Sequence, residues 1–296
     1  MPYTSEHLSE YFERYRHWAV LTGAGVSAAS GIPTYRDATG GWLRNRPIQH
    51  QEFVHHVSSR QRYWGRSLIG WPGIREARPN SLHLALTRFE AAEYSTLLIT
   101  QNVDRLHQRA GSKAVVDLHG RLDKVRCLNC NAGYEREYVQ SHLVRLNPQH
   151  HQFATVARPD GDADLADQDV ASVRILDCEA CGGTLMPDVV FFGGNVPRER
   201  VQQCQAAVAS AEGLLVVGSS LQVYSGFRFC KQAIALGKPL IVVNEGKTRA
   251  DDLATLKIET GALQHLITAI DLLPNRPKTN VSPNSALINQ NDLKGI

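Results

Sequence analysis

The sequence predicts an α/β protein whose main domain is built on a Rossmann-like parallel sheet. Five short apolar runs alternate with stretches of helical character, at residues 19–22, 95–100, 114–118, 213–217 and 239–243. Continuous apolar strands separated by helices are typical of parallel sheets that are covered on both faces. A polar or glycine cluster follows each run: GAGVS, QNVD, HG, GSS and NEG in chain order. Since ligands bind such sheets at the carboxyl ends of the strands, the five clusters predict one binding site.

The first cluster opens the segment at residues 23–37, GAGVSAASGIPTYRD, which predicts a phosphate-binding turn. Glycine lets the backbone approach a pyrophosphate without a Cβ, and free N–H groups at a helix N-terminus favour negative charge. The segment reads G-A-G-x-S and so departs from the G-x-G-x-x-G dinucleotide fingerprint. A glycine turn that packs a helix on the sheet is the alternative interpretation. Both interpretations predict a strand, a tight turn and the start of a helix.

Composition narrows the class of protein. The chain has 296 residues, of which 43% are hydrophobic, so it can build a substantial core in one or two domains. Its formal net charge is only +3, and we expect no broad positive surface for nucleic acid. The longest apolar runs are far shorter than the roughly 20 residues of a membrane span. Residues 1–18 contain three glutamates and lack the apolar core of a signal peptide, which predicts a cytoplasmic protein.

Four of the six cysteines lie in two C-x2-C pairs, Cys127 with Cys130 and Cys178 with Cys181. Two such pairs, the second followed by a Gly-Gly turn, favour a tetrahedral zinc ion bound by four thiolates. A redox role for either pair is the alternative. Four protein ligands close the coordination sphere, so we expect one structural Zn²⁺ and no catalytic metal.

Two regions interrupt the alternation of strands and helices. Residues 40–80 predict a helical insertion, and residues 121–186 predict a zinc-binding insertion. We expect the two insertions to form one smaller domain beside the Rossmann-like domain. The Rossmann-like domain is then discontinuous and comprises residues 1–39, 81–120 and 187–273. The polar segment at residues 274–296 contains three prolines and predicts a partly mobile tail.

With these clusters in place, the chain resembles the sirtuins, the NAD-dependent protein deacylases, across residues 5–272. The matching segments occur in family order: GAGVSAASGIPTYRD, TQNVDRLHQRAG, LHG, the four cysteines, PDVVFFGG, VVGSSLQVYSG and VNEG. RPIQHQEFVHHVSSRQRYWGR and GWP are similar to the class II branch, which includes a mitochondrial member in animals. Because no transit peptide is visible, the chain resembles a bacterial member.

The resemblance implies a reaction and its partners. NAD would be a co-substrate that loses nicotinamide, and the acyl group of an acyl-lysine protein or peptide would move to ADP-ribose, giving O-acyl-ADP-ribose. From the low net charge and the short apolar runs, we expect no membrane partner and no direct nucleic-acid partner. The resemblance leaves the oligomeric state open.

The resemblance also assigns catalytic roles. His119 would be the general base that takes a proton from a ribose hydroxyl, a task that suits an imidazole titrating near neutral pH. A structural histidine is the alternative. Asn102 and Asp104 would hold the nicotinamide carboxamide and an ordered water, although Q-N-x-D by itself also predicts a helix cap. Tyr35 would cover the reactive ribose after nicotinamide leaves, while Arg36 steadies the phosphates.

A wider set of NAD contacts follows from the same resemblance. The glycine turn would bind the pyrophosphate, and Gln101 would contact the ribose. The clusters after the fourth and fifth strands would bind the adenosine half, and the Ala262 backbone would contact the adenine. The implied NAD-binding residues are Gly23, Ala24, Gly25, Ser27, Tyr35, Arg36, Gln101, Asn102, Asp104, Gly218, Ser219, Ser220, Asn244, Glu245, Gly246 and Ala262.

For the protein substrate, residues 190–193 and 222–225 are expected to be extended and to hold the peptide by strand addition, which reads main chain more than sequence. The implied contact residues are Val190, Phe191, Phe192, Gly193, Val223 and Tyr224. Gly194 stands where many relatives carry an acid, which leaves the preferred charge of the peptide open.

Tyr63 and Arg66 form a Y-x-x-R pair. In relatives that remove succinyl and malonyl groups such a pair reads the acyl carboxylate, and an arginine fork suits a carboxylate. The pair therefore predicts a preference for acidic or bulky acyl groups over acetyl. An exposed arginine on an amphipathic helix is the alternative.

Two further functions stay open at this point. The same cleavage of NAD could pass ADP-ribose to a protein side chain, as in a mono-ADP-ribosyltransferase. A non-enzymatic zinc-ribbon adaptor is the other candidate, but it does not explain the clusters at the strand ends.

Overall fold

A computed structural model of the chain describes residues 3–35, 37, 41, 47–149 and 172–274. Arg36 and the predicted tail beyond Pro274 lie outside the described residues. The strands are β1 (Trp18–Thr22), β2 (Ser95–Thr100), β3 (Val115–Asp117), β4 (Gly120–Cys127), β5 (Gly133–Glu135), β6 (Leu185–Val189), β7 (Gly213–Val217), β8 (Leu240–Val243) and β9 (Leu256–Ile258). The α-helices are α1 (Ser5–Arg14), α2 (His50–His55), α3 (Val57–Glu76), α4 (Ser81–Ala91), α5 (Leu106–Ala110), α6 (Arg136–Leu146), α7 (Arg198–Ser210), α8 (Tyr224–Ala235) and α9 (Ala262–Asp271).

The larger sheet contains six parallel strands in the order β3-β2-β1-β7-β8-β9. The five predicted strands are all present, with bounds within one residue of the prediction. The sixth, β9, was not predicted because it is three residues long and has Lys257 at its centre, which interrupts any apolar run. Lys257 Nζ donates to Asp251 Oδ2 at 2.7 Å and to the Gly246 carbonyl at 3.0 Å. This strand therefore fastens the loop that follows β8.

Helices cover both faces of the larger sheet because its strands are apolar on both sides. On one face α1, α4 and α9 bury Phe12, Leu86 and Leu266 against the strands. On the other face α7 and α8 bury Cys204 and Cys230, which are both fully enclosed. Among the described residues, every helix is too short or too polar to span a membrane. With both faces covered, the ends of the strands are left to bind ligands.

The smaller sheet is antiparallel, in the order β5-β4-β6, and packs against α2, α3 and α6. Phe53 and Trp64 from the helical insertion share a core with Val125 and Leu143 from the cysteine-bearing insertion. Arg136 lies buried between two tryptophan rings of α3, at 4.7 and 5.4 Å from their centroids. The two insertions therefore form one packed unit, while the exact domain boundaries stay a prediction.

Candidate active site

The carboxyl ends of the parallel strands open into one cavity of about 670 Å³, which borders both sheets. Each of the five predicted clusters contributes to its wall. The predicted residues that line it are Gly23, Ala24, Gly25, Tyr35, Tyr63, Gln101, Asn102, His119, Val190, Phe191, Phe192, Gly193, Gly218, Ser219, Ser220, Val223, Tyr224, Asn244 and Glu245. Those that do not line it are Ser27, Arg66, Asp104, Gly246 and Ala262.

Two glycine turns meet at the nucleotide end of this cavity. The Gly25 N–H donates to the Gly218 carbonyl at 2.9 Å. A Cβ on Gly25 would lie 2.9 Å from Gly218 Cα, and a Cβ on Gly218, whose φ is +59°, would lie 2.6 Å from the Val26 nitrogen. Only glycine fits at either position, and the bare backbone that results suits close approach of a pyrophosphate. The helix after the first turn is a 3-10 helix, Ala24–Ser30, where the sequence predicted only the start of a helix.

A buried hydrogen-bond network stabilises the first glycine turn. Ser27 Oγ donates to Asp104 Oδ2 at 2.6 Å, and Asn102 Nδ2 donates to Ser27 Oγ at 3.1 Å and to the Gly23 carbonyl at 3.0 Å. Burial raises the pKa of Asp104, and the Ser27 hydrogen bond opposes that rise. Asp104 Oδ1 also accepts from the Leu106 N–H at 2.8 Å, at the start of α5. Asn102 therefore faces the cavity, while Asp104 holds the loop behind it.

His119 sits where the nucleotide end of the cavity meets the candidate peptide segments. Its Nδ1 lies 3.1 Å from the Gln101 carbonyl, and its Nε2 lies 2.7 Å from Ser225 Oγ. A carbonyl only accepts, so Nδ1 carries the proton and Nε2 of the neutral ring accepts from the serine. This tautomer presents an unprotonated nitrogen to the cavity, as a general base requires.

Burial lowers the pKa of His119 to about 4, and the nearby positive charges of Arg200 and Arg228 act in the same direction. The hydrogen bond to the Gln101 carbonyl raises the pKa in part. The expectation that this imidazole titrates near neutral pH is therefore wrong, because the surrounding protein disfavours its charged form. At neutral pH the ring is therefore neutral, and its Nε2 can accept a proton when the Ser225 hydroxyl releases it.

Sequence reasoning included Ser225 in the expected peptide-binding run 222–225 but missed its role as the hydrogen-bond partner of His119. The sequence carried no signal for it, because its partner His119 is far away in the chain. Residues 222–225 were also expected to be extended throughout. Val223 is extended, but Tyr224 and Ser225 form the first turn of α8, where Val223 is the N-cap. The prediction of an extended backbone is wrong for Tyr224 and Ser225, because their backbone is helical and cannot pair with a peptide as a strand does.

The other segment predicted to hold the peptide, Val190 to Gly193, already has part of its backbone hydrogen-bonded within the protein. The Val190 N–H donates to the His119 carbonyl at 2.7 Å, and the Phe192 carbonyl accepts from the His50 N–H at 2.8 Å. The Phe192 ring meets the ring of Tyr35 edge-on, with centroids 6.0 Å apart. These contacts fix the segment beside His119 and along one wall of the cavity.

Tyr63 and Arg66 lie on α3 but differ in their relation to the cavity. Tyr63 lines it and is 4% exposed, with its ring centroid 5.5 Å from Phe53 and 5.2 Å from Phe191. Arg66 is partly buried and does not line the cavity. The alternative of an exposed arginine is therefore wrong for this helix, which buries much of its surface.

The four cysteines are positioned for one zinc ion. Their sulfurs all lie within 4.8 Å of one another, and the Cys127–Cys181 and Cys130–Cys178 pairs are each 3.6 Å apart. Four sulfurs held at about 2.3 Å by a tetrahedral zinc ion are about 3.8 Å apart, so the cluster has the right size. All four ligands are protein thiols, which is typical of a structural site.

Fold and site together define a nucleotide-binding α/β protein with a structural zinc module. Residues 23–225 match the model of the Sir2 family. The NAD-dependent protein deacetylase of Xanthomonas campestris pv. campestris (strain 8004) is 52% identical over 263 residues, which are 89% of this chain and 90% of that protein. The NAD-dependent protein deacetylase 2 of Bradyrhizobium diazoefficiens is 51% identical over 258 residues, 87% of this chain and 94% of that protein. The chain therefore belongs to the Sir2 family, the sirtuins.

Solved sirtuin structures share the fold. A Sir2 protein with a p53 peptide and NAD+ has a TM-score of 0.71 at 27% identity and covers 91% of this chain and 98% of its own. A Sir2 protein with a histidine-to-alanine substitution, a deacetylated p53 peptide and 3'-O-acetyl-ADP-ribose has a TM-score of 0.72 at 28% identity, covering 90% and 97%. A Sir2 protein bound to a propionylated peptide has a TM-score of 0.70 at 28% identity, again covering 90% and 97%.

Proposed function

We propose that this protein is an NAD-dependent protein lysine deacylase that releases nicotinamide and O-acyl-ADP-ribose. The observation that carries the proposal is His119, whose Nε2 is an acceptor between the glycine-lined nucleotide end and the candidate peptide segments. The relatives named as NAD-dependent protein deacetylases, and the sirtuins solved with NAD+ or acylated peptides, support the same activity.

Bound NAD supplies an anomeric carbon from which nicotinamide can be expelled by the acyl oxygen of the substrate. The Asn102 side chain, held by Gly23 and Ser27, orients the nicotinamide amide. His119 accepts the proton of a ribose hydroxyl at Nε2 once the Ser225 hydroxyl turns away, which lets that oxygen take the acyl group. Tyr35 shields the ribose from water. The lysine amine then leaves with a proton, and one water adds to the acyl carbon that bridges the two ribose oxygens, so that the acyl group stays on one oxygen of ADP-ribose.

Product analysis tests this proposal. With NAD and an acyl-lysine peptide, mass spectrometry should find nicotinamide, deacylated peptide and O-acyl-ADP-ribose in equal amounts. His119→Ala should abolish the last two products, while the control His55→Ala, at a histidine outside the cavity, should leave all three. Adenine-labelled NAD whose label stays on the protein would instead support mono-ADP-ribosyl transfer. Unimpaired biological function of His119→Ala would favour the zinc-ribbon adaptor.

The acyl preference is a finer part of the proposal. We infer a preference for acidic or bulky acyl groups from Tyr63, which lies in the cavity wall. Arg66, one turn further along α3, lies outside the cavity lining and would contribute its positive charge from there. Rates on acetyl, succinyl and hydroxymethylglutaryl peptides test it, and fastest turnover of acetyl would contradict it.

We also propose that the chain is a class II sirtuin and works in the cytoplasm. The YWGR and GWP segments of α3 support the class, and a four-thiol zinc cluster suits a reducing compartment. Phylogenetic placement with both branches tests the first statement, and cell fractionation tests the second.

A further inference from the structure

A second cavity, of about 210 Å³, adjoins the active-site cavity along the segment from Val189 to Phe191, which lines both. Its other walls come from β4, from the start of α2 and from the first turn of α7. Val190 and Phe191 also belong to the segment predicted to hold the peptide, so a peptide bound along that segment lies close to the second cavity.

The charged groups that line the second cavity are mostly positive. Arg126 and Arg200 contribute guanidinium groups, and Asp188 is the carboxylate in the wall. Asp188 already faces Arg126, with Oδ1 3.7 Å from Nε. Arg200 donates to the Leu118 carbonyl at 3.3 Å, and no carboxylate of the described residues lies within ion-pair distance of it. Arg200 is therefore a partly buried cation with spare donors.

Gly194 is part of the wall of this cavity. A Cβ at this position would lie 3.0 Å from the Phe191 carbonyl and 3.4 Å from the His50 side chain, so a larger residue would project into the space. An acidic side chain here would also add a second carboxylate to the wall, where Asp188 already pairs with Arg126. Among the described residues, no carboxylate is left to pair with Arg200.

We propose that the second cavity is a subsite for an acidic side chain of the protein substrate, bound by Arg200. The inference rests on the proposed deacylase function and names the class of sequence that the enzyme prefers around the acyl-lysine. A peptide added as a strand places alternate side chains on one side, roughly 7 Å apart, so a residue near the acyl-lysine can reach the neighbouring cavity. A guanidinium fork binds a carboxylate through two parallel hydrogen bonds, which a glutamine cannot reproduce.

Paired peptides test the subsite. One glutamate is moved through the positions flanking an acyl-lysine, and each peptide is compared with its glutamine counterpart. We expect KM to be about fivefold lower for glutamate at one position, with kcat unchanged, as for a partly exposed charge-assisted hydrogen bond. This advantage should shrink between 50 and about 500 mM salt, because the pair is screened. Equal KM values at every position, or an advantage insensitive to salt, would overturn the proposal.

Variants assign the effect to Arg200. Arg200→Gln should remove the glutamate advantage, and Arg200→Lys should retain part of it. Arg198→Gln is the matched control, since Arg198 lies on the same helix turn but is exposed and outside the cavity. Loss of the advantage in Arg198→Gln alone would contradict the assignment. Turnover of the glutamine peptides reports separately on the deacylase proposal. If no peptide reacts, that proposal fails, and fluorescence anisotropy with the same peptide pairs still tests the subsite.

Discussion

Removal of the Ser27 hydroxyl should destabilise the protein and weaken NAD binding. Ser27 Oγ donates to the buried Asp104 carboxylate at 2.6 Å, and both residues are less than a tenth exposed. A hydrogen bond to a charged group contributes about 1.5–3 kcal/mol, so Ser27→Ala should cost about 2 kcal/mol. For a chain of this size that is a fall in Tm of roughly 3 °C. Since Asn102 loses the same partner, KM for NAD should rise.

The stability cost of Ser27→Ala should depend on pH, because the lost hydrogen bond goes to the titratable Asp104 carboxyl group. Burial raises the pKa of Asp104, so the ionised carboxylate disfavours folding, and the Ser27 bond offsets part of that cost. The effect of Ser27→Ala is therefore largest at pH 8. It should shrink toward about 1 kcal/mol as the pH falls and Asp104 becomes protonated, because a neutral hydrogen bond contributes less.

Urea unfolding at pH 8 measures the effect, and a double-mutant cycle assigns it. In an Asp104→Asn background Ser27→Ala should cost clearly less than in the wild type, because the charge is absent. Ser30→Ala is the matched control: it lies on the same 3-10 helix and loses only a neutral bond with Asn80 at 3.0 Å. A cost below about 0.5 kcal/mol, or an equal cost in both backgrounds, would refute the reasoning.

Three further predictions concern the glycine turn, the buried histidines and the metal. Gly218→Ala should abolish NAD binding and reduce stability. The control Gly237→Ala has a similar φ of +66° but nothing within 4 Å of its Cβ, so it should cost only backbone strain. Equal losses of the two variants in thermal shift and NAD titration would contradict this. Burial lowers the pKa of His83 to about 4 and of His107 to about 3, so their stabilising effect is complete above pH 6.5 and is lost as the pH falls toward those values. The Tm of the wild type should therefore fall from pH 7.5 to 5, less steeply in His83→Leu, and parallel curves would count against the idea. Purified protein should contain about one zinc per chain, and well under one zinc would exclude the site. In circular dichroism, chelation or Cys130→Ser should unfold the small sheet before the larger sheet.

Local sequence patterns were enough for the larger sheet and the metal ligands. A strand of five apolar residues such as β1 is recognisable because it is buried on both faces, and a C-x2-C pair is recognisable because two thiolates must reach one ion. The same reasoning missed β9 and the antiparallel sheet, whose strands contain Lys257, Lys124 or Asp188. Their pairing depends on neighbours in space, and single strands of this kind carry no distinctive pattern.

The sequence by itself determined which chemical groups this protein brings to its site: glycine turns, an amide, an imidazole and four thiols at the ends of predictable elements. Only the tertiary structure decided their state. It set the tautomer and the lowered pKa of His119 through Gln101, Ser225 and burial, and it placed Asp104 behind Asn102. It also placed Arg200 beside the candidate peptide segment, where no carboxylate of the described residues lies within ion-pair distance of it. These properties depend on desolvation and on hydrogen bonds between residues far apart in the chain, and so no local pattern contains them.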